Sequence, residues 1–250
     1  MSDFNRGYAT AAPADMAVDA GLRGFMLGVY NKMALGLVLS GALAFLTSAY
    51  PPVRDLLYVV DARGALAGFT LLGTIIRFAP VVMLIGSMFL LRNPSPRASG
   101  ILYWSIVSTI GAGLGVWLLA YTGSSVAMAF FVSAAAFGGL SLFGYTTKRD
   151  LSPIGSFLVM AMWGLFIAGL ASFLLPVQGN RTFQLIFSVI GLIVFAGLTA
   201  FDTQRLKLMY YDLGGDQARM SVATNLGALN LYINFINIFQ FLLAIFGGRR

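Results

Sequence analysis

Asp202 closes an apolar run, TFQLIFSVIGLIVFAGLTAF at 182–201, that carries no charge. An ionisable side chain at membrane depth is costly, so it reads by default as functional and in need of a partner. A plainer reading also stands. At about 1.5 Å per residue the run covers roughly 30 Å, so Asp202 can mark a helix end already at the interface. A second feature is a stripe of three amides. Asn230, Asn234 and Asn237 fall at i, i+4 and i+7, with Gly227 at i−3, on one face of a helix. Amides in lipid need partners, so this stripe should turn inward. Asn230 and Asn237 read as bonds between helices, and Asn234, near the middle, as the residue to line a pathway. Arg77 interrupts another apolar run about 15 residues before Arg92, near the midplane. It can serve as a static counter-ion, or as a latch that pairs with Asp202 in one state only. The depths of the two match poorly, Asp202 being closer to the cytoplasm.

The remaining chemistry is bounded by what the chain lacks. With no cysteine there is no disulfide, thiol nucleophile or thiolate metal site, and with no histidine no imidazole base, triad or His-ligated zinc. A pH response near neutrality must therefore come from a carboxylate. Nine acidic residues include one buried candidate, and paired-acid hydrolysis needs two, so no enzyme is expected. The glycine clusters form no phosphate cradle, and no cofactor or resident metal is expected. Asn180-Arg181-Thr182 matches a glycosylation sequon but lies too close to the membrane to weigh. The net charge of +7 is scattered through loops, which points to membrane topology rather than nucleic acid.

The elements that position these residues follow from composition. The 250 residues are 58% hydrophobic and 10% charged, where a soluble domain carries about a quarter charged residues. The mean hydropathy is +0.84. This is an all-α, polytopic membrane protein, with the lipid bilayer as its first partner. Residues 1–28 show no removable signal peptide. They read as a cytoplasmic tail, with a mildly amphipathic stretch at 18–30 that can lie along the interface. Residues 29–248 form the transmembrane domain. Intervals between charges give a first span near 33–50, stopped by Pro51-Pro52, and a second between Arg63 and Arg92. The interval from Arg97 to Lys148 holds two spans, split by the turn residues Thr122-Gly123-Ser124-Ser125. A fifth span follows Asp150, with Ser152 and Pro153 suited to N-cap and N1 positions. The sixth runs from 182 past Asp202 towards Gly214-Gly215, and the seventh lies between Arg219 and Arg249. Seven spans result.

Ten Lys and Arg fall on the amino-terminal side and five on the other, which puts the amino terminus in the cytoplasm. Arg249-Arg250 fits an outside carboxy terminus poorly. A re-entrant seventh segment, with a cytoplasmic tail, is the second topology. Gly111, Gly113 and Gly115 in the third span, with Gly138 and Gly139 in the fourth, suit close helix packing.

The segment Leu198-Thr-Ala-Phe-Asp202-Thr-Gln-Arg205 resembles the signature of the Bax inhibitor-1 family, which includes the bacterial YccA-like proteins. Gly144-Tyr-Thr-Thr-Lys-Arg-Asp150-Leu-Ser-Pro-Ile-Gly155 resembles the family's loop between the fourth and fifth helices. Ala228-Leu-Asn-Leu-Tyr232-Ile-Asn-Phe-Ile-Asn237-Ile-Phe resembles its last helix. The likeness covers 30–247 in order and spacing. It implies seven helices with the last near the centre, a bacterial inner-membrane location, and a pH-sensitive calcium leak with calcium as transported ion. It also implies a sensor made of two aspartates, one mapping onto Asp202 and the other onto position 234. This chain departs from the pattern there, because the second position is Asn234. Two adjacent carboxylates titrate as a coupled pair, and an amide binds no proton in that range. Asp202 alone should then titrate, with a weaker pH response, and a one-acid site should hold calcium weakly. A weak site is compatible with conduction, which needs easy release.

Two functions compete: a calcium or cation leak, and a non-conducting regulator of a partner such as a membrane-bound AAA protease, as implied by the YccA-like relatives. In the second, the tail before Tyr30 docks on the partner and the polar core is structural. The sequence sets no oligomeric state.

Overall fold

The computed structural model describes residues 20–61, 66–90, 93–172 and 180–248. In chain order these form α1 (Ala20–Ala49), α2 (Pro51–Leu57), β1 (Tyr58–Val60), β2 (Leu66–Phe69), α3 (Leu71–Leu90) and α4 (Pro96–Ala120). Then follow α5 (Gly123–Thr146), α6 (Ser152–Ser172), α7 (Arg181–Asp212) and α8 (Gln217–Phe246). Among the described residues seven helices, all but α2, are long and apolar enough to cross a membrane. The chain is an all-α polytopic membrane protein, as its composition requires. The tail at 1–17 and Arg249-Arg250 lie outside the described residues.

Local chemistry sets the helix ends. Ser95 accepts from the Ala98 N–H (3.2 Å) with Pro96 in the first turn of α4, and Thr122 accepts from the Ser125 N–H to start α5. Asn180 caps α7 through the Phe183 N–H, and Asp216 caps α8 through the Ala218 and Arg219 N–H groups. Gly214 (φ 58°) and Gly215 (φ 83°) take the left-handed conformation that reverses the chain between α7 and α8. At α6 the cap differs from expectation. Gly155 N–H already bonds Leu151 O (2.7 Å), and Asp150 Oδ1 accepts from the Ser152 N–H (2.9 Å), so Ser152 lies inside the first turn.

The first span also begins earlier than its charge boundaries suggest. Residues 20–30 are not an interfacial segment but the opening turns of α1, with Leu22, Phe25, Met26 and Val29 buried in the main core. Their amphipathic spacing faces protein instead of headgroups. At the other end Pro51-Pro52 stop α1 and begin α2, since proline fits a first helical turn but not an interior. A short antiparallel hairpin, with Tyr58 opposite Phe69 and Val59 opposite Gly68, then precedes α3. Strands of three and four residues are too short to show a period, and β2 lies inside the interval after Arg63 assigned to the second span. Tyr58 anchors the hairpin by donating to Ala112 O (2.8 Å), and burial pushes its phenol above the ordinary value, so it stays a donor.

α8 is the central helix. Of its most apolar stretch 56% is buried, against 11% for α3 and for α6, and it packs against α1, α4, α5 and α7. It also runs the full height of the bundle, parallel to α4. Near its start, Asn225 Nδ2 donates to Pro96 O (3.1 Å). Past its end, Gly248 O accepts from the Thr122 N–H (3.1 Å) and Gly248 N–H donates to Ser125 Oγ (2.9 Å). The end with Pro96 and the α7–α8 turn is called near below, and the end with the hairpin and the α4–α5 turn far. A re-entrant seventh segment is therefore not what the chain forms, because its last residues reach the far end.

Close packing explains some glycines and not others. A Cβ at Gly111 would meet Ser40 Cα at 2.6 Å, and one at Gly115 would meet Thr47 Oγ1 at 2.3 Å, so this i, i+4 face of α4 sits directly on α1. Gly113, Gly138 and Gly139 have nothing within 4 Å of such an atom and carry no close approach. In α5 the close approach is at Gly144 instead, against Ala200 O of α7 (2.2 Å).

Candidate functional site

α7 is 32 residues long, about 48 Å, and so projects beyond a hydrocarbon layer of roughly 30 Å. Asp202 lies about 15 Å from its near end. The partner shows how deep that is. Asn234 Nδ2 donates to Asp202 Oδ2 at 2.7 Å. Asn234 is buried and stands a little past the middle of α8, roughly 25 Å from the start of that helix. The carboxylate is thus held inside the bundle, against the central helix, and not in the water beyond a helix end.

No other described residue donates to the carboxylate, and Asp202 lines a cavity of about 570 Å³ at the near end. The walls are the last turns of α7 with Arg205, Met209 and Leu213, the first turns of α8 with Arg219 and Asn230, and Asn93 and Pro94 ahead of α4. Arg219 is tied to Asp216 (3.6 Å). The cavity thus leads from the near end to a carboxylate–amide pair. Beyond it, α8 buries its own Phe235, Ile238, Phe239 and Leu243. Phe235 makes edge contacts with Phe130 and Phe137 of α5, and the Phe241 ring lies where Gly191 leaves space. The cavity lining ends near the pair, and past it the side chains that α8 buries are mainly apolar, with Asn237 bonded to its own helix.

The members of the amide stripe have different roles. Asn234, read from its mid-helix place as lining a pathway, bonds Asp202 and is not among the residues that line the cavity. Asn230 is exposed and lines the cavity rather than bonding another helix. Asn237 Nδ2 donates to Ile233 O of its own helix (2.8 Å), so it is not interhelical glue. Arg77 is not brought to Asp202 either. Its guanidinium lies 5.0 Å from the centre of the Phe69 ring and 6.0 Å from that of Phe78, two turns into α3 from the far-end hairpin. α3 enters from the far end, whereas Asp202 opens to the near one.

Two neighbours of Asp202 matter that sequence reasoning passed over. Gln204 accepts from the Leu151 N–H (2.9 Å) through Oε1 and donates to Arg149 O (2.8 Å) through Nε2, clamping the α5–α6 turn to α7. Lys207 Nζ adds a bond to Tyr145 O (2.9 Å). Gln204 is buried and polar in the middle of the Asp202 segment, and asking for its partner would have found it. Thr199 and Thr203 bond back to carbonyls of their own helix (2.8 Å each) and need none.

Chemically the site offers one carboxylate oxygen pair, one fixed amide donor and two arginines along the entrance. Ionised, Asp202 accepts from Asn234 and can meet a cation; protonated, it becomes a donor. Among the described residues no group of three or more His, Cys, Asp or Glu side chains gathers.

The family model described as inhibitor of apoptosis-promoting Bax1 matches residues 22–250. An uncharacterized protein of Caulobacter vibrioides is 60% identical over the full length of both chains. The inner membrane protein YbhL of Escherichia coli and the uncharacterized protein RP147 of Rickettsia prowazekii are each 37% identical, again over the full length of both.

Proposed function

The chain belongs to the Bax inhibitor-1 family, and from that premise we propose that it is a pH-modulated leak for calcium or other cations in which Asn234 stands in for one of two sensor acids. It sits in the inner membrane of a bacterium with its amino terminus in the cytoplasm, and it has no enzymatic role. The observation that carries the reading is the 2.7 Å contact between Asn234 and Asp202 at the inner end of a cavity open to one side. A cation entering from the near end reaches the carboxylate first, and protonation of Asp202 removes the charge that receives it. The apolar far half makes this the closed form, and conduction requires α8 and its aromatic neighbours to separate.

Calcium flux into proteoliposomes across a pH series tests the proposal, with Asp202→Asn and Asn234→Asp beside the parent. Flux that falls with acidification in the parent, and loses that dependence in Asp202→Asn, is expected. A sharp neutral-range switch that survives Asp202→Asn rules the mechanism out.

The second reading is a regulator of a membrane-bound protease, and the packing of the far half of α8, with Phe235 against Phe130 and Phe137, favours it, since that suits a static core. Deleting residues 1–19 separates the two: a regulator loses control of its partner, while a channel still leaks.

A further inference from the structure

Beside the cavity that holds Asp202, on the other side of Pro96, lies a second near-end hollow of about 520 Å³. Its lining includes Lys32 of α1, Arg97, Gly100 and Trp104 of α4, and Ser221 and Asn225 of α8. Two cations face it, and its lining contains no carboxylate. Neither Lys32 nor Arg97 belongs to an ion pair among the described residues.

Lys32 is held in place by a dedicated arrangement. Its Nζ donates to Asn225 Oδ1. The Asn225 amide is itself buried and fixed by donating to Pro96 O (3.1 Å) and Ser99 Oγ (2.8 Å). The ammonium lies 5.4 Å from the centre of the Tyr103 ring and 6.0 Å from that of Trp104. Tyr103 OH in turn donates to Lys32 O (2.7 Å). Three helices thus converge on one uncompensated cation. Arg97 adds a second charge in the first turn of α4, where the helix dipole also favours an anion.

One wall of the hollow is apolar and open. Ile101 and Trp104 line it and are 68% and 37% exposed on the outer face of α4. In a bilayer this face meets acyl chains, and a tryptophan with a lysine marks the level of the headgroups. A soluble anion would use the two charges and leave the wall idle. A ligand with a phosphate and acyl chains uses both.

We propose that the Lys32–Arg97–Trp104 hollow binds the phosphate of an anionic phospholipid, with the acyl chains along Ile101 and Trp104. The proposal is independent of conduction, because it involves neither Asp202 nor Asn234.

The test uses the full chain in phosphatidylcholine nanodiscs. Trp117→Phe and Trp163→Phe leave Trp104 as the sole tryptophan, and lipids brominated high on the acyl chain quench it. Half-maximal quenching is expected at a mole fraction of brominated phosphatidylglycerol on the order of tenfold below that of brominated phosphatidylcholine, about 1 kcal/mol per cation being typical near a charged headgroup. R97Q and K32Q should each reduce that preference by roughly fivefold. K32R should keep it, and G100L, which fills the hollow but leaves both charges, should lose it. R23Q removes an equal charge from the exposed near end of α1 and should change nothing. Arg97 is exposed and makes no side-chain bond among the described residues, so R97Q decides the matter even if K32Q fails to fold. Equal quenching by the two lipids overturns the proposal, as does an R97Q effect no larger than that of R23Q. A response of Trp104 to inorganic phosphate in pure phosphatidylcholine, equal to that with phosphatidylglycerol, would assign the hollow to a free anion instead.

Discussion

Asn234 sets how many protons the centre of the bundle can exchange. With an amide opposite Asp202 at 2.7 Å, the pair contains one titratable group, so under the proposed mechanism a property governed by this pair alone has a proton slope of at most one. Asn234→Asp would place two carboxylates at that separation, and their titrations would couple. A pH profile of calcium flux should then steepen to a slope between one and two; an unchanged slope would show that position 234 is not part of the sensor. Asn234→Ala removes a donor from a charged acceptor and should lower stability by about 1.5–3 kcal/mol, read as thermal unfolding in detergent. Asp202 stood out in the sequence because a charge is conspicuous against an apolar run, whereas i, i+4, i+7 spacing fixed only a face, and the pairing of Asp202 with Asn234 came from the family resemblance. The role of Asn237 was not legible, since spacing cannot tell an amide that crosses to another helix from one that folds back on Ile233. The poor match in depth between Arg77 and Asp202 was legible in the sequence, but the turn of the guanidinium towards Phe69 and Phe78 was not, because spacing says nothing of the direction a long side chain takes.

Gln204 acts at the level of elements, through two bonds that join the α5–α6 turn to α7. Gln204→Ala leaves the buried Leu151 N–H without its acceptor and should cost on the order of 1–3 kcal/mol. Trypsin should cut faster after Lys148 and Arg149 in that variant, and an unchanged rate would show that the turn is held by other contacts. Gly144 packs at the same junction. Gly144→Leu forces α5 away from the Ala200 carbonyl and should destabilise by about 1–3 kcal/mol, checked by the same melt. Asp150, in the turn itself, is held below the usual carboxylate range by the Ser152 hydroxyl and backbone N–H. Its contribution is therefore present above the unfolded pKa and is lost as pH falls through the lower folded value. Asp150→Ala should lose stability at neutral pH and converge with the parent only in strong acid. Span number and order were readable because charges bracket the apolar runs, and the turn residues at 122–125 divide the one uncharged interval that holds two. The start of α1 was not, since Leu22, Phe25, Met26 and Val29 have the same spacing whether they meet lipid or protein.

The orientation of the whole molecule is open to a direct measurement, because the chain has no cysteine. A single cysteine at Gly248 should react with an impermeant maleimide in intact spheroplasts, and one at Asn93 only after lysis; the reverse pattern would invert the proposed orientation. The re-entrant alternative arose from counting Arg249-Arg250, and tertiary contacts overrode it. Gly248 bonds to Thr122 and Ser125 of the α4–α5 turn, which charge counting cannot see. The most buried helix also carries the partners of polar groups on the helices around it. Lys32 of α1 and Asp202 of α7 meet Asn225 and Asn234, both supplied by α8. Withdrawing α8 would leave an ammonium and a carboxylate facing lipid, where each is costly. The central helix is therefore a shared counterpart that makes the charged positions of its neighbours tolerable in a membrane, and a bundle lacking it would present those charges to quality-control proteases.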